Sequence, residues 1–404
     1  MKLPESLKIL VLEQKSRVDS GANTTGLITV ATKDILADLT DVEPFITNRI
    51  EDICVLAPDW SKNFISRTSF PWIFSTDTPG LLGALAQKLG KNVTLETGAR
   101  FEKWCRDPGK ASSEDAYPVK VDFKKGDMAL TAASRVLVGA DGTRSAVAAA
   151  GSGLSRNKKI LFAYEKALIG EPLLGDNPAR TVYHLWFGSF SLGYGGWIAP
   201  NFIKGEKIIR VGYATYDTNI RAENKLDQMI AILKGKGCVK IYHEKPLIKY
   251  GGYFPVGGVL PKTAADNILL LGDAAGYCGA FSADGIKGAL VSGLLAAKLI
   301  PRYLDGDRHS LGTLNALMET EAGLMSYYRR QIRYRFLWNR MHSNKTFTSL
   351  FELCEREKDS FLSQFCDAKE MRKSLLRVLL KPRHVPALTK LSVDILVDLL
   401  TGRR

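Results

Sequence analysis

The sequence lacks the spacings that mark several common chemistries. Its six cysteines (Cys54, Cys105, Cys238, Cys278, Cys354, Cys366) include no C-x-x-C pair, and its five histidines include no H-E-x-x-H. Neither set reads as a metal site or a disulfide framework, so no metal is expected and the thiols read as reduced, as in a cytoplasmic protein. No run approaches the roughly 18 apolar residues of a membrane span. The opening MKLPESLKILVLEQ has only a short apolar run and no small-residue cleavage site, so it does not read as a signal peptide. There is no internal repeat and no low-complexity tract.

Acidic charge is also scarce. The chain of 404 residues holds 56 Lys and Arg against 42 Asp and Glu, a net charge of +14. From Met325 to Arg404 there are 17 basic and 8 acidic residues, so 17 − 8 = +9 of that excess lies in the last 80 positions. A chain this long is expected to form two or three subdomains rather than one core.

Apolar patterning divides the chain. Lys8 to Glu13 reads as a short buried strand ending in an acid, and Ser20 to Gly26 as a loop. Thr29 to Leu39 reads as a helix, and residues 41–74 as strands of a second sheet. Thr78 to Leu89 has Pro79 at a helix start, then leucines at helical spacing. Val93 to Glu96 reads as a strand, residues 108–117 as a hairpin tip, and Arg135 to Val138 as a strand. Leu161 to Ile169, Thr181 to Phe187, Gly196 to Ile198 and Lys207 to Tyr216 read as strands of one sheet, with Asn224 to Lys234 helical. Ile268 to Leu271 is a buried strand. A helix follows from about Gly285 to Leu299, and beyond Asp307 the pattern is helical almost throughout.

The strongest chemical signal is Ile268-Leu269-Leu270-Leu271-Gly272-Asp273-Ala274-Ala275-Gly276. Glycine lets backbone approach a ligand closely, and aspartate accepts hydrogen bonds from sugar or ribityl hydroxyls. Ala283-Asp284-Gly285-Ile286 then opens an amphipathic helix, whose free N–H groups and positive dipole end suit a phosphate or an electron-rich ring. This stretch resembles the GD motif of the FAD-dependent hydroxylase and reductase superfamily. It is most similar to the geranylgeranyl reductase family in GDAAG and the small-residue helix SGLLAAKLI. Val138-Gly139-Ala140-Asp141-Gly142-Thr143-Arg144-Ser145 is similar to the DG motif of the same superfamily, which lies against the pyrophosphate and ribose.

The resemblance implies an α/β fold: a doubly wound, Rossmann-like FAD domain (1–40, 76–150 and 262–306), a β-rich substrate domain (41–75 and 151–261) and a helical C-terminal cap (307–404). It implies FAD as cofactor, with Glu13 on the adenosine ribose and Asp141, Gly142, Gly272, Asp273, Ala274, Gly285 and Ile286 around the rest of the molecule. Tyr194-Gly195-Gly196-Trp197-Ile198-Ala199-Pro200 is similar to the family's Tyr-x-Trp-x-x-Pro stretch, although Ala199 replaces a common Phe and there is an extra Gly. Tyr194 and Trp197 are thereby candidates for an isoprenoid cavity.

Three departures stand beside the likeness. Dinucleotide folds place G-x-G-x-x-G about 20 residues before the ribose acid, and only 12 residues, none a glycine, precede Glu13. The first βα unit is expected to be missing, as in an N-terminally truncated chain, with an exposed sheet edge as the result. Asn23-Thr24-Thr25-Gly26 stands where the family often has a Cys-Gly-Gly-Gly segment, and Thr78 where many relatives have Arg. Cys278 reads as a buried inert thiol.

The activity implied is flavin reduction by NAD(P)H or ferredoxin, followed by hydride transfer to carbon–carbon double bonds of a polyprenyl (geranylgeranyl) lipid. No catalytic proton donor is assigned. Two alternatives stay open: an FAD-dependent monooxygenase or halogenase, and a truncated pseudoenzyme or lipid-binding protein without redox activity. Tyr327 to Arg340 interleaves basic and aromatic residues, and Ser374 to Leu380 and Leu388 to Leu400 are apolar on one face. These helices either pack on the catalytic domain with a solvated basic face or make peripheral contact with the inner face of a membrane. No motif points to nucleic acid.

Overall fold

The computed structural model describes residues 7–20, 24–107, 117–151, 153–185, 193–216, 221–364 and 375–401. The expected hairpin tip lies largely outside them, as do Cys366 and the Tyr194 side chain.

The chain runs β1 (Ile9–Glu13), β2 (Leu27–Thr29), α1 (Val30–Ala37), β3 (Ile46–Ile50), β4 (Asp52–Leu56), β5 (Asn63–Arg67), β6 (Ile73–Thr76), α2 (Thr78–Gln87), β7 (Val93–Thr97), β8 (Ala99–Arg106), β9 (Val119–Lys125), β10 (Met128–Ser134), β11 (Leu137–Gly139) and α3 (Ala146–Ala150). It continues as β12 (Ile160–Pro172), β13 (Thr181–Leu185), β14 (Gly193–Ile203), β15 (Glu206–Thr215), α4 (Ala222–Gly235), β16 (Val239–Ile241), β17 (Ile248–Pro255), β18 (Ala264–Ala265), β19 (Ile268–Leu270) and α5 (Gly285–Leu304). Last come α6 (Leu314–Thr320), α7 (Leu324–Trp338), α8 (Asn344–Glu355), α9 (Leu375–Leu379) and α10 (Val385–Thr401).

Local chemistry sets several of these boundaries. Asp77 Oδ1 accepts the Gly80 N–H at 3.2 Å and Pro79 occupies the first turn of α2, so α2 starts where an N-cap and a proline start helices. Thr29 caps α1, and Ser343 caps α8 by accepting the Thr346 N–H at 3.2 Å.

The large sheet has the order β16-β12-β15-β14-β13-β4-β5, with β17 also paired to β12. Every pair in it is antiparallel except β13 with β4. One face packs under α4 through Leu226, Met229 and Leu233. The C-terminal helices bring Trp338, Phe347, Phe351 and Phe361 against Phe64 and Val55.

The nucleotide-type half contains two parallel pairs, β1 with β7 and β11 with β19, the latter extended by β18. Its core joins Ile268, Leu269 and Leu270 to Leu295, Leu299 and Tyr328, with Leu12 of β1 packed at the margin. The sequence reading named the tip at 108–117 but not the strands β8 and β9 that flank it, nor β10; the three form an antiparallel meander beside this half.

One expectation needs correction. The strand at Lys8 to Glu13 is not buried: adjacent Leu10 and Val11 are 43% and 37% exposed. Neighbouring residues of a strand point to opposite faces, so neither face of β1 is fully covered. Parallel strands are ordinarily covered on both. The cause lies in the pairing: among the described residues β1 bonds only to β7, and β11 only to β19. No described strand lies between β1 and β11.

Candidate active site

The two glycine–aspartate turns, 130 residues apart in sequence, meet at the C-terminal ends of β11 and β19. The strands are hydrogen-bonded in parallel, and the Leu271 N–H extends the ladder to the Gly139 carbonyl at 2.9 Å. Thr143 Oγ1 donates to the Tyr253 carbonyl at 2.8 Å and reaches Asp273 Oδ2 at 3.4 Å. Asn157 clamps the pair: its Nδ2 donates to the Thr143 carbonyl at 3.0 Å and to the Asp273 carbonyl at 2.8 Å.

In the first turn, Asp141 Oδ2 accepts the Val147 N–H at 3.0 Å and Ser145 Oγ accepts that of Ala148 at 3.0 Å, so both cap α3. Gly142 has φ +79°, which L side chains rarely adopt, and a Cβ there would meet open space. The turn thus leaves an unobstructed backbone surface. Arg144 lies 3.4 Å from the centroid of the Tyr253 ring.

In the second turn, residues 272–275 form a 3₁₀ turn that ends at Gly276. The Asp273 carboxylate is half-buried, and its side-chain bond to Thr143 is long. Burial, offset in part by that bond, pushes its carboxyl up to about 6. Its Oδ1 lies 2.6 Å from where a Cβ on Gly285 would stand, so any side chain at Gly285 would collide with it. The carboxylate therefore points at the start of α5.

That helix start is held from behind. Asp284 Oδ1 accepts from Ser282 Oγ at 2.6 Å, and Oδ2 from Tyr327 Oη at 2.9 Å. Buried Lys287 places Nζ 4.6 Å from the centroid of the Tyr327 ring. Burial pushes the Asp284 carboxyl up. Gln331 Oε1 accepts the N–H groups of Phe281 and Ser282 at 3.1 and 2.9 Å. Ala283 is forced to φ +57°, a left-handed conformation that costs a residue with a Cβ about 1 kcal/mol or more. Ile286 turns into the small core of Ile28, Leu36 and Phe74. Ala274 is buried.

Glu13 ends β1 and accepts the Lys15 N–H on Oε1 at 2.8 Å. Trp197 lies on β14, and its indole N–H donates to Glu165 Oε2 at 2.7 Å. Glu165 is 0% exposed and the centre of a cluster that pattern reading missed. Arg210 Nε donates to its Oε1 at 2.6 Å, and Thr25 Oγ1 to its Oε2 at 2.6 Å. A second Arg210 nitrogen holds the Thr24 carbonyl at 2.7 Å, and Tyr250 Oη lies 3.2 Å from Thr25 Oγ1. The loop after β1 is thereby tied to the large sheet through a buried ion pair. Nothing local could have signalled this cluster, because Thr25 and Glu165 are 140 residues apart.

Among the described residues no group of side chains could hold a metal, and no helix is long and apolar enough to cross a membrane. No family model matches the sequence. It is 28% identical over 315 residues to digeranylgeranylglycerophospholipid reductase 2 of Methanosphaera stadtmanae, covering 76% of this chain and 72% of that protein. It is 27% identical over 326 residues to digeranylgeranylglycerophospholipid reductase of Methanocaldococcus jannaschii, covering 78% of this chain and 73% of that protein. The fold agrees. A geranylgeranyl bacteriochlorophyll reductase-like protein of Thermoplasma acidophilum superposes with TM-score 0.73 at 17% identity, over 96% of this chain and 94% of that one. A flavin-dependent brominase superposes with TM-score 0.63 at 13% identity, over 91% of each chain. The chain therefore has the architecture expected from its two turns: mixed α/β, with a sheet-rich centre and a helical C-terminal region.

Proposed function

We propose that the chain is an FAD-dependent reductase that adds hydride to carbon–carbon double bonds of a polyprenyl (geranylgeranyl) lipid or related isoprenoid. The observation that carries this reading is the Asp273 carboxylate. It is half-buried, has one long hydrogen bond at 3.4 Å, and faces the start of α5. A buried carboxylate short of donors is costly, and ribityl hydroxyls would supply them.

The other residues fit FAD around that point. Glu13 is placed at a strand end to hold the adenosine ribose. The open backbone at Asp141-Gly142 suits the pyrophosphate side. The N–H groups of Gly285 and Ile286, at the positive end of α5, suit the electron-rich edge of the flavin, with Ala274 beneath. A glycine-rich phosphate loop has no counterpart among the described residues.

Bound around Asp273 and the start of α5, FAD would supply the hydride-transfer chemistry, with NAD(P)H or ferredoxin the proposed electron source. The chain's own work is to bind, orient and exclude water. The Glu165–Arg210 pair holds Thr24 and Thr25, Asn157 holds the two turns together, and Trp197 is the described residue proposed for the prenyl side. As a relative of lipid-modifying enzymes, the chain is proposed to work at the inner face of a membrane, in peripheral contact through its C-terminal helices.

The test is FAD titration of the purified chain, followed without oxygen by reoxidation of the reduced flavin with a detergent-dispersed geranylgeranyl lipid. Binding, and lipid-dependent reoxidation, are expected. A folded chain that takes up no FAD refutes the reading. Reoxidation by oxygen and an aromatic substrate, but not by the lipid, would favour a monooxygenase or halogenase, whose fold this chain also shares.

A further inference from the structure

The last helix is inside out. In α10, Val393, Leu396, Val397 and Leu400 recur at i, i+3, i+4 and i+7 and so share one face. They are 54%, 55%, 45% and 77% exposed. The acids of the same helix, Asp394 and Asp398, are buried.

Hydrogen bonds explain this rotation. Asp398 Oδ2 accepts the N–H groups of His342 and Ser343, at 2.8 and 3.0 Å, just before α8. A carboxylate there is favoured by the α8 dipole as well as by the bonds. Asp394 Oδ2 accepts from Ser349 Oγ at 2.7 Å, and Oδ1 pairs with Lys345 at 2.9 Å. Leu391 and Ile395 fill the remaining inward positions against the Phe347 and Phe351 core. With the two aspartates docked, the leucine and valine stripe has only the outward side left.

A stripe of this kind on a soluble surface marks an interaction site. The exposed residues of α10 include no acid and one base, Lys390. Exposed Arg377 and Lys381 precede the helix, whereas Arg383 pairs with Glu357 and Lys390 with Glu352, and exposed Leu380 and Val385 extend the apolar surface beside them. The region from Met325 onward carries +9 in all (17 basic, 8 acidic). Stacking a second copy on this face would set two such regions together, and like charge opposes that. An anionic surface is complementary.

We infer that α10 is an interfacial helix. Val393, Leu396, Val397 and Leu400 enter the boundary between headgroups and acyl chains of an anionic bilayer, while Arg377 and Lys381 meet lipid phosphates. This supplies a docking face for the membrane contact proposed above. It rests on the helix itself and needs no flavin.

The test is flotation of the full chain with vesicles of phosphatidylcholine alone or of equal parts phosphatidylcholine and phosphatidylglycerol, at low and high salt. The wild type is expected to float with the anionic vesicles, less so at high salt, and at least tenfold more weakly with neutral ones. The double variant L396D/L400D changes only exposed side chains and is expected to lose at least tenfold in binding while its thermal midpoint stays unchanged. A wild type that ignores anionic vesicles, or a variant that floats as well as wild type, overturns the inference. So does a concentration-dependent dimer by light scattering that L396D/L400D abolishes, because a second copy would then own the face. Reoxidation of reduced flavin by detergent-dispersed lipid should be equal in both proteins, and its failure would count against the reductase reading alone.

Discussion

Substituting Arg210 by Met leaves the Glu165 carboxylate buried with no cation beside it. Glu165 is fully enclosed and accepts from Arg210, Trp197 and Thr25 at 2.6, 2.7 and 2.6 Å, with the Tyr250 hydroxyl also beside it, so only neutral donors would remain. Breaking one side of a buried pair typically costs about 3–5 kcal/mol, mostly the penalty of the stranded charge. For a chain of 404 residues that is a fall in Tm of roughly 3–6 °C. The double variant E165Q/R210M removes both charges and should recover more than half of the loss, since replacing both partners is often near neutral. Differential scanning calorimetry of the wild type, both single variants and the double variant measures the coupling. A functional consequence follows from the Arg210 bond to the Thr24 carbonyl: FAD affinity should fall in R210M, because the loop after β1 loses its anchor. The reasoning is refuted if R210M melts within a degree of wild type, or if the double variant is no more stable than R210M.

Other outcomes are expected from single sites. The carboxyl of Asp273 is raised from 3.8 to about 6 in the folded chain, so the native state holds its proton more tightly than the unfolded one. The cost of ionising it is absent below pH 4, grows between pH 4 and 6, and reaches at most about 3 kcal/mol above that. D273N should therefore stabilise the ligand-free chain at pH 7 and not at pH 4, in urea titrations at both values. The same variant should weaken FAD binding at least tenfold by fluorescence titration, having lost the acceptor for ribityl hydroxyls. D398A removes two backbone acceptor bonds before α8 and should lower stability by about 1–3 kcal/mol by thermal melting. Cys105 is exposed, whereas burial pushes the thiols of Cys54 and Cys354 up to about 12, so C105S should delete a fast phase of native thiol labelling.

Much of the nucleotide half was legible because its signals are local. A strand running into Gly-Asp, small residues and a helix start can be recognised within 30 positions, and each element requires the next by backbone geometry. Pro79 marked the α2 start for the same reason, and the Asp77 cap was added by the structure. β8 and β10 of the meander escaped because their apolar residues do not alternate with polar ones, whereas β9 does alternate, burying Val119, Val121 and Phe123, and was overlooked. β1 was read as buried because an apolar run signals burial only where neighbours exist to cover it.

By itself, then, the sequence determined the two turns at 139–145 and 272–276, the α5 start, and the resemblance they carry, since these depend on residue type at short spacing. The tertiary structure alone decided that Thr143 and Asn157 lock those turns together and that Glu165, Arg210, Trp197 and Thr25 form one buried cluster. It also decided that α10 turns its aspartates inward. Helical periodicity defines two faces but not which one docks; here the N–H groups before α8 bind the carboxylates, and the apolar face is left outside.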